Sequence, residues 1–107
     1  KVKHALTANC VRYADAGKAV KKIAVIGGAG ADEIEKAIEA GADTFVTGDV
    51  KYHQFLDAGN LGINLIDAGH FATENPVVKV LCDKLSEALP EVRFEVSSVH
   101  GDCILTV

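Results

Sequence analysis

Two pairs of imidazole and carboxylate side chains stand four residues apart in this sequence, His70 with Glu74 and Asp49 with His53. In helical geometry that spacing puts both members of a pair on one face. An imidazole and a carboxylate placed as His70 and Glu74 are, on the rim of a sheet, can hold one divalent metal ion. On spacing alone, capping or hydrogen bonding is the commoner role for His70, and Asp49 is as well suited to cap the helix that follows it. Asp67, three residues before His70, can orient an imidazole as an outer acceptor or cap a turn. Gly27, Gly28 and Gly30 open another helix, where backbone N–H groups can meet an anion or substrate. That run lacks the third glycine of a dinucleotide fingerprint and has Asp32-Glu33 in its place; a lysine-bearing phosphate loop is also absent. A tight turn allowing close helix–strand packing explains these glycines at least as well, and two acids in a first turn favour the helix dipole.

The elements that must position these residues can be read from the apolar pattern. Ile23-Ala24-Val25-Ile26 is a continuous apolar run, as expected of a strand buried on both faces of a parallel sheet. Thr44–Thr47 and Ile63–Ile66 are the next two strands, and Asn9–Tyr13 suggests a half-exposed edge strand. Residues 32–40 read as a helix with Ile34, Ala37 and Ile38 inward and Gly41 at its end. A second helix buries Tyr52, Phe55 and Leu56 and ends by Gly59 or Gly62. A third runs from about Pro76 to Leu89 with Val77, Val80, Leu81, Cys82, Leu85 and Leu89 inward, its proline suited to the first turn. Residues 92–96 and 103–105 alternate and predict further strands. Residues 1–8 read as a helix end or linker, and His4 and His100 as surface residues.

Strands alternating with helical crossovers predict parallel neighbours joined right-handedly. The expected fold is therefore α/β, a mostly parallel open sheet with helices on both faces, layered and Rossmann-like. In such sheets ligands bind outside the carboxyl ends of the strands. The turns Gly27–Gly30, Thr47-Gly48-Asp49 and Asp67-Ala68-Gly69-His70 each follow a strand. They are expected side by side on one rim, although more than 40 residues separate the first from the last.

At 107 residues the chain is one domain. Its 49% hydrophobic and 24% charged content is that of a folded domain rather than a disordered segment. No apolar run approaches the roughly 20 residues of a membrane span, so no membrane partner is expected. Cys10, Cys82 and Cys103 are an odd number without a CxxC pair, which predicts reduced thiols and a cytoplasmic location. The chain starts at Lys1 and contains no methionine, so it is expected to be part of a longer protein. The first 22 residues carry a charge of +5 and the remainder −9, and no basic stripe interleaved with aromatics gives a positive signal for nucleic acid.

The segments Ile-Gly-Gly-Ala-Gly at 26–30, Thr-Gly-Asp-Val-Lys-Tyr-His at 47–53 and Asp-Ala-Gly-His-Phe-Ala-Thr-Glu at 67–74 resemble, in order and spacing, the NGG-one-interacting factor three family of dinuclear-metal proteins. Its bacterial members are known as GTP cyclohydrolase 1 type 2 homologues. The resemblance covers about residues 9–98 and implies that this single domain is the carboxyl-terminal lobe of a two-lobed protein. It implies two divalent metal ions per intact subunit, with His70 and Glu74 as the ligands from this lobe. The remaining ligands, a histidine pair and an aspartate, have no match here, so the chain alone is expected to bind metal weakly or not at all. The resemblance further implies hydrolysis of a nucleotide or related small molecule by metal-activated water, with His53 or Asp49 moving protons, and self-association as a hexameric ring. Two alternatives of other kinds stay open: a ring-forming binding or scaffold module with structural metals, and a free-standing Rossmann-like nucleotide-binding domain. The tail 98–107 departs from the family pattern, keeping only Asp102 of it.

Overall fold

The computed structural model describes all 107 residues. After a one-turn helix α1 (Val2–Ala5) come β1 (Arg12–Ala14) and β2 (Ile23–Val25), then a 3-10 turn at Ala31–Glu33 running into α2 (Ile34–Glu39). There follow β3 (Thr44–Thr47), α3 (Tyr52–Leu61), β4 (Asn64–Asp67), α4 (His70–Glu74) and α5 (Pro76–Ala88). The four strands form one open sheet in the order β1-β4-β3-β2. β2, β3 and β4 are parallel, in register Ile23↔Thr44↔Asn64, while β1 closes the other edge antiparallel to β4 with Tyr13 opposite Ile66. The fold is thus α/β with a mixed, mostly parallel sheet.

Side chains alternate across the sheet, so Ala24, Phe45 and Leu65 share one face. On it they meet Ala31, Ala37, Val50, Ala58 and Ile63, with Ile34, Ile38 and Phe55 half-buried around them. Phe45 and Leu65 are wholly buried, each worth about 1.5–3 kcal/mol in burial. This core anchors the central strands β3 and β4, and these carry the turns that matter for chemistry.

Several sequence expectations are corrected. β2 is an edge strand, so its apolar run is not buried on both faces: Val25 is 63% exposed and only Ala24 packs into the core. A run of apolar residues records what a strand can bury, not its position in the sheet. In α3, Tyr52 and Leu56 are exposed, Phe55 is half-buried and Ala58 is the buried position. α5 has no buried residue; Val77, Val80, Leu81 and Leu89 are exposed, and Cys82 and Leu85 are half-buried. Residues 92–96 and 103–105 form no strands: both strands at the sheet's edges come from earlier in the chain, and these segments pair with neither. No helix is long and apolar enough to cross a membrane.

Candidate metal and substrate site

The carboxyl ends of β2, β3 and β4 lie on one rim because the strands are parallel, and their turns touch. Gly48 N–H donates to the Gly28 carbonyl (2.8 Å), and Ala68 N–H donates to the Thr47 carbonyl (2.9 Å). A Cβ placed on Gly48 would stand 2.7 Å from His70 N, and one on Gly28, whose φ is +69°, would stand 3.2 Å from His70 Nε2 and 3.3 Å from Glu74 Oε1. Glycine at both positions is what lets the three corners close on the start of α4.

The glycine corner itself is occupied by internal bonds. Gly28 N–H donates to Thr73 Oγ1 (2.9 Å), Gly30 N–H to Thr47 Oγ1 (2.9 Å), and Thr47 Oγ1 donates to the Gly28 carbonyl (3.0 Å). A Cβ on Gly27 would lie 2.9 Å from the Thr73 carbonyl oxygen. The N–H groups of Gly28 and Gly30 are therefore engaged within the fold, and what Gly27, Gly28 and Gly30 provide here is close packing rather than an open anion cradle. Thr73, which the sequence did not single out, ties this corner to α4 and also donates to the Gly69 carbonyl (2.9 Å).

His70 sits between two carboxylates. Its Nδ1 is 2.7 Å from Asp49 Oδ2 and its Nε2 is 3.0 Å from Glu74 Oε2. The bond to Asp49, together with the negative charge of both acids, raises the His70 pKa above the ordinary 6.5. Asp49 does not cap α3; there the Lys51 N–H is taken by Gln54 Oε1 at 2.8 Å. Asp49 adopts a left-handed backbone with φ +56°. His53 lies exposed on the first turn of α3, makes no side-chain hydrogen bond and does not line the clefts that His70 borders. Asp67 caps the turn and does not touch the imidazole: its Oδ1 accepts from Gly69 N–H (2.9 Å), its Oδ2 from Val50 N–H (3.1 Å) and from the Arg12 guanidinium.

In donor type, Nε2 of His70 and the carboxylate of Glu74 suit a divalent ion. In number they fall short. Asp49 stands on the other ring nitrogen, and nowhere in the chain do three His, Cys, Asp or Glu side chains form a group able to hold a metal. Two such donors do not by themselves make a closed metal site within these 107 residues.

A cleft of about 700 Å³ opens over the pair. Asp49, His70 and Glu74 are among its polar lining, Phe71, Val77 and Val78 are among its apolar lining, and His100 to Ile104 of the tail also border it. The His100 ring packs against Phe71 with centroids 5.1 Å apart, so His100 has a partner that local pattern did not reveal. Asn9 Nδ2 pins the tail by donating to the Ile104 carbonyl (3.0 Å). Nothing in the sequence pattern announces a contact between residues so far apart.

The family model for Duf34/NIF3 (NGG1p interacting factor 3) matches residues 1–103. A GTP cyclohydrolase 1 type 2 homolog of Clostridium perfringens is 40% identical over 103 residues, a match spanning 94% of this chain and 39% of that protein. One from Nostoc is 45% identical over 76 residues, spanning 71% of this chain and 27% of that protein. The crystal structure of Staphylococcus aureus protein SA1388 superposes with a TM-score of 0.89 at 33% identity, covering 98% of this chain and 31% of that one. A Bacillus cereus protein related to NIF3 superposes with a TM-score of 0.76 at 36% identity, over 98% of this chain and 30% of that one. The chain thus spans well under half the length of the relatives it matches. With the three glycine-bearing corners in the arrangement described, and with these matches along nearly its whole length, the chain belongs to the Duf34/NIF3 family.

Proposed function

We propose that this chain is the carboxyl-terminal lobe of a metal-dependent hydrolase acting on a nucleotide or related small molecule, and that it gives His70 and Glu74 to a dinuclear divalent-metal site. One observation carries the reading: His70 has a carboxylate against each ring nitrogen. A neutral imidazole has one N–H to donate, so with an acceptor on both sides one contact lacks positive charge. A proton satisfies it, which is why the pKa is raised. A divalent cation between Nε2 and Glu74 would satisfy it as well. Their 3.0 Å separation is close to that of neighbouring donors each about 2.0–2.2 Å from one ion.

Asp49 would then keep the proton on Nδ1, fixing the tautomer that leaves Nε2 free to ligate. The ion would supply Lewis acidity and a lowered pKa for water, toward about 7. The rest of the coordination sphere would come from outside these 107 residues, consistent with the share of its relatives' length that the chain represents. The apolar lining of Phe71, Val77 and Val78 suits the flat body of a heterocycle, and the nucleotide class is suggested by the names of the curated relatives. Asp49 borders the cleft and would accept a proton from a bound molecule; His53, which lies outside the cleft lining, is assigned no step in this reading.

The test is metal content and nucleotide turnover of the full-length protein. Two divalent ions per subunit, largely lost in His70→Ala and Glu74→Gln together with GTP turnover, are expected. Bound metal without turnover of any nucleotide would favour a ring-forming binding module with structural metals instead. A wild-type protein that holds no metal would refute both.

A further inference from the structure

We infer that the ion pair of buried Asp67 with the half-exposed Arg12 is the positioning device of the site, setting Asp49 against His70; this rests on the metal-site reading above. The parallel ladder between β3 and β4 ends at Thr47↔Asp67, with Ala68 N–H on the Thr47 carbonyl as the last backbone bond between the two strands. Beyond that bond no backbone hydrogen bond joins the two turns, which pack closely at Gly48, and side-chain contacts must hold them in place. Asp67, 5% exposed, does so with one carboxylate: Oδ1 accepts from Gly69 N–H (2.9 Å) and Oδ2 from Val50 N–H (3.1 Å). Gly69 directly precedes His70 and Val50 directly follows Asp49. One group thus holds the peptides flanking both partners of the 2.7 Å Asp49–His70 contact.

Arg12 completes the grip from the edge strand β1. Its guanidinium pairs with Asp67 and donates to the Val50 carbonyl (2.9 Å), while its carbon stands 5.3 Å from the centre of the Phe55 ring. Val50 is therefore held by its N–H through Asp67 and by its carbonyl through Arg12. This matters because Asp49, the residue before it, sits at φ +56°, a left-handed region that non-glycine residues adopt uncommonly. Strained backbone persists only where its surroundings over-determine it. The ion pair supplies that constraint, and the constrained turn aims Asp49 at His70 Nδ1.

The experiment uses the full-length protein with Asp67→Asn, Arg12→Gln, Asp49→Asn and the double variant Asp67→Asn/Asp49→Asn. An asparagine keeps the size of Asp67 but turns an NH2 toward one of the donors. The metal-free readout is the nuclear magnetic resonance signal of the His70 Nδ1–H, shifted downfield while it bonds to a carboxylate. It is expected in the wild type and lost or shifted upfield in Asp67→Asn and Arg12→Gln with the circular dichroism spectrum unchanged. Zinc affinity by calorimetry is expected to fall about 10–100-fold in Asp67→Asn, the usual effect of losing an outer partner of a ligand. The double variant is expected to bind as Asp49→Asn alone does, because Asp67 acts through Asp49.

A folded Asp67→Asn protein with the His70 signal in place would overturn the inference. So would an additive loss in the double variant. If Asp67→Asn does not fold, Arg12→Gln decides by the same signal, since it leaves both N–H bonds to the carboxylate intact. A wild type that binds no zinc yet loses the His70 signal in Asp67→Asn would end the metal reading and keep the positioning role.

Discussion

Replacing Gly48 by alanine tests the convergence of the three corners most directly. A Cβ there would lie 2.7 Å from His70 N, 2.8 Å from Gly69 C and 2.8 Å from His70 Cα. All three are backbone atoms, so no side chain can swing away. Carbon contacts are comfortable at about 3.5–4.0 Å, and the turn after β3 would have to part from the start of α4 by most of an ångström. Such a shift strains the Gly48–Gly28 bond (2.8 Å) and the Asp49–His70 contact (2.7 Å) together. Overpacking of this kind costs about 1–3 kcal/mol. In a domain near this size each kcal/mol moves Tm by about 4–8 °C, so a fall of roughly 5–20 °C is expected. Gly59 provides the control: it lies exposed inside α3, and a Cβ there would meet nothing within 4 Å. Gly59→Ala should raise stability by about 0.5–1 kcal/mol through helix propensity. Thermal unfolding followed by circular dichroism reads both. A Gly48→Ala protein melting within a degree or two of the wild type would refute the close approach of the corners.

Three further outcomes are expected. Thr73→Val removes the acceptor of Gly28 N–H (2.9 Å) and should cost about 1–2 kcal/mol in urea unfolding, with the m-value unchanged. His70 should titrate above 6.5 in the metal-free chain, and Asp49→Asn should bring it back toward that value, because the Asp49 bond is the largest cause of the shift. Since the folded pKa is the higher one, this stabilisation is complete below the unfolded value and fades as pH rises through the folded one; the ring-proton titration and Tm against pH check it. Phe45→Ala should cost about 3–5 kcal/mol, whereas Val25→Thr, on the open side of the edge strand, should change stability by less than about 0.5 kcal/mol in the isolated chain.

The rim was legible in the sequence because each of its corners follows an apolar strand and carries a glycine, and parallel strands must put such turns together. The Asp49–His70 contact was not, since each residue offers an ordinary local role and their meeting depends on register between β3 and β4. Burial was misread wherever it depends on order in the sheet. Ile23–Val25 has the composition of a central strand but lies at the edge, and α5 has an apolar stripe that the chain covers only in part, at Cys82 and Leu85. Arg12 gave no signal at all, because its partner Asp67 is 55 residues away. Residues 92–96 and 103–105 were read as two strands by their alternation, yet neither joins the sheet, and residues 100–104 instead line the cleft, where His100 meets Phe71.

The bare flank of α5 also bears on how the chain unfolds. With no buried residue over thirteen positions, this helix is held mainly by its own backbone bonds and by its junction with α4. Its amide protons should exchange with solvent through local fraying, orders of magnitude faster than those of β3 and β4, whose exposure requires the whole sheet to open. The two ends of the cleft therefore differ in stiffness: the imidazole stands where α4 meets the rigid rim, and Val77 and Val78 ride on the first turn of a segment free to breathe.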